Sequence, residues 1–218
     1  MNIVIYGTGT QAELAYYFLA QDTEHEVVAF CVDAAYIDPH KPTLFHLPII
    51  SVEDLPSLFP PLAYQVHIAL GHNLRRAQAF SLIKTFGYTC FTYIGSRALT
   101  WPNVVIGENV FIDPSTELHP FVQIGDNSII GGTQIGHHAR VGSNIMATSC
   151  LVGAKCTIGD GTYLGLNCVI REGVTIGKNN LIGACAYIDH DTEDDAVYSG
   201  PKSTKRAVPS SRVSFFNV

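Results

Sequence analysis

From about Trp101 onward the aliphatic residues recur every sixth position. Ile106, Ile112, Leu118, Ile124 and Ile130 form one run, and Val152, Ile158, Leu164, Ile170, Ile176, Ile182 and Ile188 form a second. Ile135 and Val141 keep the spacing of six but stand one residue out of phase with each flanking run. Most of these residues precede a glycine, as in Ile106-Gly107, Ile124-Gly125, Ile158-Gly159 and Ile176-Gly177. An α-helical period cannot hold this repeat, and an ordinary strand would not punctuate itself so often. A coil of three short strands can: each hexapeptide supplies one face, its aliphatic points inward, and a small residue sits near the corner. At about 18 residues per coil, the stretch from Trp101 to about His190 predicts roughly five coils of a left-handed parallel β-helix. Two one-residue shortenings, near Gly131 to Gln134 and between Val141 and Val152, should distort it locally.

The first 95 residues carry a different pattern. Asn2 to Tyr6, Val27 to Val32, Leu47 to Ile50 and Val66 to Leu70 read as short apolar strands. ELAYYFLAQ and LRRAQAFSLIKTFG read as helices, the second closed by Gly87. SVEDL reads as a helical turn capped by Ser51, and CFTYI as a last strand of this half. Strand alternating with helix predicts a parallel sheet with helices on its faces, a Rossmann-like α/β domain. The expected organisation is an α/β domain over 1–97, the β-helix over 98–200, and a tail over 201–218. The basic then aromatic tail (Lys202, Lys205, Arg206, Arg212, Phe215, Phe216) is expected to cap the coil.

Composition narrows the class. Apolar residues make up 47% and charged residues 15%, as in a globular protein. A formal charge of −6 argues against nucleic acid as the main partner. No apolar run approaches the roughly 18 residues needed to span a bilayer, and MNIVIYGTG reads as a first strand rather than a signal peptide, so a cytoplasmic protein is expected. The six cysteines include no C-x-x-C pair, which predicts buried free thiols and no zinc knuckle.

The candidate binding residues of the first half lie at the carboxyl ends of its strands. Gly7, Gly9, Thr10 and Gln11 form a glycine turn ahead of a helix N-terminus, a place suited to an anion. Asp33 ends the next strand, and Gly71, Asn73 and Arg76 follow the last one; ligands of open α/β sheets bind at that edge. A half of this size holds one nucleotide more readily than a dinucleotide such as NAD. The alternative is an inherited scaffold that binds nothing.

YGTGTQAE, FCVD, IALGHNLRR, IGHHARVG and LVGAKCTIGDGTYLG together resemble the bacterial hexapeptide-repeat sugar acyltransferases, which include sialic acid O-acetyltransferases and nucleotide-linked amino-sugar N-acetyltransferases. The resemblance implies an acetyl-CoA donor without a metal, a nucleotide-linked sugar acceptor from glycan precursor synthesis, and a homotrimer with active sites between neighbouring coils. It also implies a histidine general base in the IGH motif, here His137. The next residue, usually acidic and orienting the imidazole in the amino-sugar enzymes, is His138 here, a second catalytic or orienting candidate, although adjacent residues of an extended strand face apart. A second histidine common further on is replaced near Met146, and a histidine of the glycine turn by Gln11. Direct transfer needs a base and oxyanion donors, but no Gly-x-Ser-x-Gly elbow, and none is present. The break in phase around His137 marks the expected reaction centre. Ala154, Lys155, Gly165 and Ala184 are the expected CoA contacts along an unbroken wall from Val152 to Ile188, with Lys178 and the tail cations available to the phosphates. Those small residues could equally be small because corners require it. A β-helix zinc enzyme of the carbonic-anhydrase type, drawing on His119, His137, His138 and His190, is a competing reading, as is a binding protein that has lost transfer.

Overall fold

The computed structural model describes residues 2–212. The first half is built on β1 (Asn2–Tyr6), β2 (Glu26–Val32), β3 (Thr43–Leu44), β4 (Leu47–Ser51) and β5 (Tyr64–Ile68), in the order β3-β4-β2-β1-β5. All neighbours are parallel except the β3–β4 pair. Helix α1 (Thr10–Asp22) buries Ala12, Ala15 and Leu19 against Ile3 and Ile5 on one face. On the other face, α2 (Leu55–Leu58) and α3 (Asn73–Thr85) bury Leu55, Ala79 and Ile83 against Val4 and Tyr6. Alternation along β1 thus feeds two cores. Ser51 ends β4 and its hydroxyl turns to Glu53, whereas Asp54 precedes α2, so the cap expected at Ser51 does not form.

The second half is a three-sided prism of parallel two- and three-residue strands. The first side stacks the strands at 105–106, 123–124, 140–141, 157–158 and 175–176. The second stacks 93–94, 111–112, 129–131, 146–148, 163–164, 181–182 and 197–198, and the third 117–118, 134–135, 151–152, 169–170 and 187–188. Every aliphatic of the six-residue repeat from Ile112 to Ile188 is buried in the prism, together with Ala147. Both shortenings fall at the corner leading from the second side to the third. Gly132 and Ser149 turn there with φ of 57° and 49°, between the three-residue strands Ile129–Gly131 and Met146–Thr148 and their successors. Corners elsewhere place one residue in the left-handed region, filled by Asn109, Asn127, Asn144, Asn167 and Asn179 among others, because asparagine tolerates it better than most side chains.

CFTYI does not finish the sheet. Cys90 bridges to Val66 of β5, but Tyr93–Ile94 pairs with Phe111–Ile112 and forms the first rung of the prism's second side. The coil therefore begins a few residues before the expected boundary. Tail residues 201–210 are exposed in the single chain, and Phe215 and Phe216 lie outside the described residues.

Polar groups tie the two halves together along their seam. Asn109 at a coil corner completes the edge of β5, accepting from the Ile68 amide at 2.7 Å and donating to its carbonyl at 3.2 Å. Asp22 at the end of α1 accepts from the Tyr93 hydroxyl and the Ser96 amide, both at 2.7 Å. His67 on β5 is buried, its Nδ1 2.9 Å from the Phe91 carbonyl, and burial pushes its pKa down to about 4. Above about pH 6.5 the ring is neutral in folded and unfolded chains alike. Below that the unfolded chain takes up a proton the folded chain refuses until pH approaches 4, so stability declines by about 3 kcal/mol across this window. Denaturant unfolding of His67→Gln against pH should therefore fall less steeply between pH 6.5 and 4 than wild type; parallel curves would refute the assignment.

Candidate active site

His137 occupies the corner from the third side of the prism to the first. Its glycine neighbour is required: a Cβ on Gly136 would stand 2.5 Å from the Ala154 amide of the next coil. The corner is tied to the coils on either side, the His138 amide donating to the Pro120 carbonyl at 3.2 Å and the Lys155 amide to the His137 carbonyl at 2.9 Å. Both imidazoles are exposed, and their Nδ1 atoms lie 3.0 Å apart. The His138 ring also stacks on Phe121, centroids 4.5 Å apart. The shortened turns are not at this corner but at the one before it, at the other edge of the third side, so the phase break flanks His137 without shaping its own turn.

A groove of about 620 Å³ runs from His137 along the outer face of the third side. Its walls include Gly136, Ala154, Leu151, Val169 and Tyr187. Glu117 and His119 line it on the coil next to His137, His119 Nε2 standing 3.0 Å from Glu117 Oε1. A hydrogen bond from Gln134, then that from His119, holds the Glu117 carboxyl below its ordinary range. The expected donor contacts divide between two corners. Ala154 lines the groove, and Lys155 beside it reaches towards Glu172 at 3.8 Å. Gly165 and Ala184 stack on successive coils at the opposite edge of the same face, a Cβ on Gly165 meeting the Ala184 amide at 2.9 Å. Lys178 stands apart, in a hollow on the first side with Arg140.

A second cavity, of about 670 Å³, opens at the carboxyl ends of β1 and β2. Gly7, Gly9 and Asp33 line it as expected, together with Tyr6, Thr8, Tyr36, Arg75 and Gln78. Gly7 has φ of 129° and passes so close to β5 that a Cβ would meet the Ala69 carbonyl at 2.8 Å. The Tyr6 hydroxyl donates to Asp33 Oδ1 at 2.6 Å, and burial, then this bond, raises the phenol far above its ordinary value. Thr10 and Gln11 are the first residues of α1, just beyond the lining. Gly71, Asn73 and Arg76 do not reach the cavity. Asn73 donates to the Gly161 carbonyl at 3.2 Å, and Arg76, wholly buried, is consumed by the seam between the halves. The cation missed in the sequence is Arg75, whose Nη1 donates to the Tyr36 hydroxyl at 3.3 Å and whose guanidinium lies 5.9 Å from that ring.

Zinc ligation finds no support in this arrangement. His119 aligns with Gly136 rather than His137, and no group of three or more His, Cys, Asp or Glu that could hold a metal occurs among the described residues. No helix among the described residues is long and apolar enough to cross a membrane.

Comparison with known proteins yields matches along the coil and over the whole chain. The family model described as the GMPPB C-terminal domain matches residues 90–181. The bifunctional protein GlmU of Brevibacillus brevis is 30% identical over 112 residues, 48% of this chain and 24% of that protein. The galactoside O-acetyltransferase of Escherichia coli is 30% identical over 97 residues, 44% of this chain and 40% of that protein. The chain thus spans well under half the length of these curated relatives. Over 92% of the chain and 94% of its counterpart, the fold matches perosamine N-acetyltransferase from Caulobacter crescentus, a mutant in complex with CoA and GDP-perosamine, with a TM-score of 0.84 and 22% identity. The acetyltransferase domain of PglB from Neisseria gonorrhoeae, in complex with acetyl coenzyme A, matches 91% of the chain with a TM-score of 0.79 and 17% identity.

Along the coil the chain is similar in sequence to GlmU and to galactoside O-acetyltransferase. Within the fold both halves are present: the coil carries the sequence relationship, and the α/β half is shared with the sugar N-acetyltransferase structures.

Proposed function

We propose that this chain is an acetyl-CoA-dependent acetyltransferase acting on the amino group of a nucleotide-linked amino-deoxy sugar, with His137 as general base. The observation that carries the reading is His137 itself: a histidine pinned through its backbone at a coil corner, its ring opening into a groove that continues along a largely apolar face. In this reading acetyl-CoA lies in that groove, pantetheine against Ala154 and the adjoining corners. The acceptor nitrogen attacks the thioester carbonyl and gives its proton to His137 Nε2, the C–S bond breaks, and the proton passes to the departing thiolate sulfur. The cavity of the first half holds the nucleotide. Its volume lies within the range of small-molecule sites, Arg75 is placed for phosphate charge, the start of α1 faces the same opening, and Asp33 can accept from a ribose or base. Its Rossmann-like character rests on the parallel sheet order and on Gly7 at the first turn. Binding of GDP-perosamine to a protein of the same fold supports a nucleotide-sugar acceptor here.

The reading includes a homotrimer. Helix α3 docks on the corner that carries Asn127, Ile145 and Gly161, whereas His137 sits at a different corner, across the first side of the prism. A nucleotide sugar held in one chain's cavity would then meet His137 of a neighbouring chain. Exposed Leu151 and Tyr187 on the third side and Val105 on the first provide apolar surface for such packing. Both substrates are cytoplasmic metabolites, which supports a cytoplasmic enzyme.

The test is product analysis. Purified protein with acetyl-CoA and a panel of UDP-, GDP- and dTDP-linked 3-amino and 4-amino sugars should yield, by mass spectrometry, one sugar gaining a single acetyl group. Hydroxylamine should leave that product intact, as an amide requires. A hydroxylamine-labile product would reassign the acceptor as a hydroxyl, and no product across the panel would overturn the reading.

A further inference from the structure

The outward residues of the prism's third side change character along the coil. Glu117, Gln134, Leu151, Val169 and Tyr187 stand in one column on successive rungs, polar on the first two and apolar on the last three. His137 belongs to the coil of Gln134, so the base stands where the column turns from polar to apolar. The apolar rungs suit pantetheine. The polar rungs carry a pair that the transfer chemistry leaves unused: Glu117 and His119, lining the same groove one coil before His137.

The chemistry of this pair fixes the direction of its bond. Hydrogen bonds from Gln134, then His119, hold the Glu117 carboxyl below its ordinary range, so at neutral pH it is a carboxylate and can only accept. His119 Nε2, 3.0 Å away, is therefore the donor, and the neutral ring keeps a lone pair on Nδ1. A carboxylate offers about four lone-pair sites, and Gln134 and His119 take up only part of that capacity on Glu117. The first rung thus presents acceptors to the groove, a surface that takes hydroxyl groups and repels phosphate. Arg171 lines the groove two coils beyond His137, beside the Glu172 that reaches towards Lys155, so the phosphate-bearing donor is better placed on that side.

Adjacent rungs stack ~4.8 Å apart, about the breadth of a pyranose ring. A sugar whose amine meets His137 Nε2 and whose ring lies towards the start of the coil brings the neighbouring ring substituent to the rung of Glu117 and His119. Resting on the acetyl-transfer reading, we propose that Glu117 and His119 form the sugar subsite of the acceptor, accepting hydrogen bonds from ring hydroxyls, and that the acceptor is an amino sugar with a free hydroxyl on the carbon next to its amine. A sugar without that hydroxyl strips water from the carboxylate and returns no donor, so it is a poor acceptor.

The experiment compares two acceptors: the UDP-, GDP- or dTDP-linked amino sugar that the panel above identifies, and the same nucleotide sugar with hydrogen in place of the hydroxyl beside its amine. Wild type should prefer the hydroxylated sugar by ~10- to 100-fold in kcat/KM, the worth of a hydrogen bond to a charged group. Glu117→Leu removes the acceptor and is compatible with the face, since Leu151 holds the same outward place two coils on. It should bring the preference within about threefold, with KM for acetyl-CoA also within about threefold of wild type. Glu117→Gln, which keeps a carbonyl acceptor without the charge, should fall between, and His119→Ala should narrow the preference as well. A merely disturbed coil would slow both sugars alike and leave their ratio at the wild-type value. That wild-type ratio in Glu117→Leu, or no preference in wild type, would overturn the subsite and leave acetyl transfer standing. Turnover of no sugar in the panel by wild type would overturn the transfer reading, and the subsite with it.

Discussion

Arg76→Ala is expected to destabilise the protein by about 3–5 kcal/mol and to lower Tm by about 10 °C. The Arg76 side chain is fully buried and donates five hydrogen bonds. Nε meets the Asn127 carbonyl at 2.9 Å, and Nη2 meets the Ile145 carbonyl at 3.0 Å and Asn73 Oδ1 at 2.9 Å. Nη1 meets the Leu70 and Gly71 carbonyls at 2.9 and 3.3 Å. Burial lowers its pKa to about 10, so it stays charged at neutral pH, with carbonyl dipoles in place of a counter-ion. Truncation takes this donor from the Asn127, Leu70 and Gly71 carbonyls, while the Ile145 carbonyl keeps the Ile129 amide at 2.9 Å, and each buried orphan costs free energy. Arg76→Lys should recover little, because one ammonium cannot span acceptors on both sides. Calorimetry or urea unfolding reads the effect; a loss under about 1 kcal/mol would show that the seam does not depend on this residue.

His137→Ala should leave the fold intact and remove the chemistry. The ring is exposed, and the corner is held by the His137 carbonyl, which alanine retains. Losing a general base typically costs 10²- to 10⁴-fold, so kcat should fall by about that factor with KM for acetyl-CoA little changed. Steady-state kinetics beside a thermal melt separates the two effects. A melt that moves with the rate would point to the corner, not the imidazole.

The coil was legible in the sequence because both of its demands are local and repeat: an aliphatic inward every sixth residue, and a glycine where the next coil passes too close for a Cβ. The shortenings were legible too, but not which corner would absorb them. The α/β strands could be found by composition, while the destination of CFTYI could not. Tyr93–Ile94 is as good a strand for a sheet edge as for a prism rung, and a partner distant in sequence decides. Arg75 and Arg76 show the limit most clearly. Two identical adjacent side chains on one helix point about 100° apart, so one lines the cavity and the other is sealed in the seam. Choosing between them required knowing where α3 docks. His138 was in doubt because adjacent residues of a strand face apart, and the left-handed turn that brings the two rings together has no side-chain signature.

The central claim, acetyl transfer with His137 as base, is tested most directly by the rate of free thiol release from acetyl-CoA, wild type and His137→Ala side by side, with and without the amino-sugar nucleotide panel. The account predicts release by wild type that depends on one of the amino sugars and falls by 10²-fold or more in His137→Ala. Release that persists undiminished in His137→Ala would contradict it.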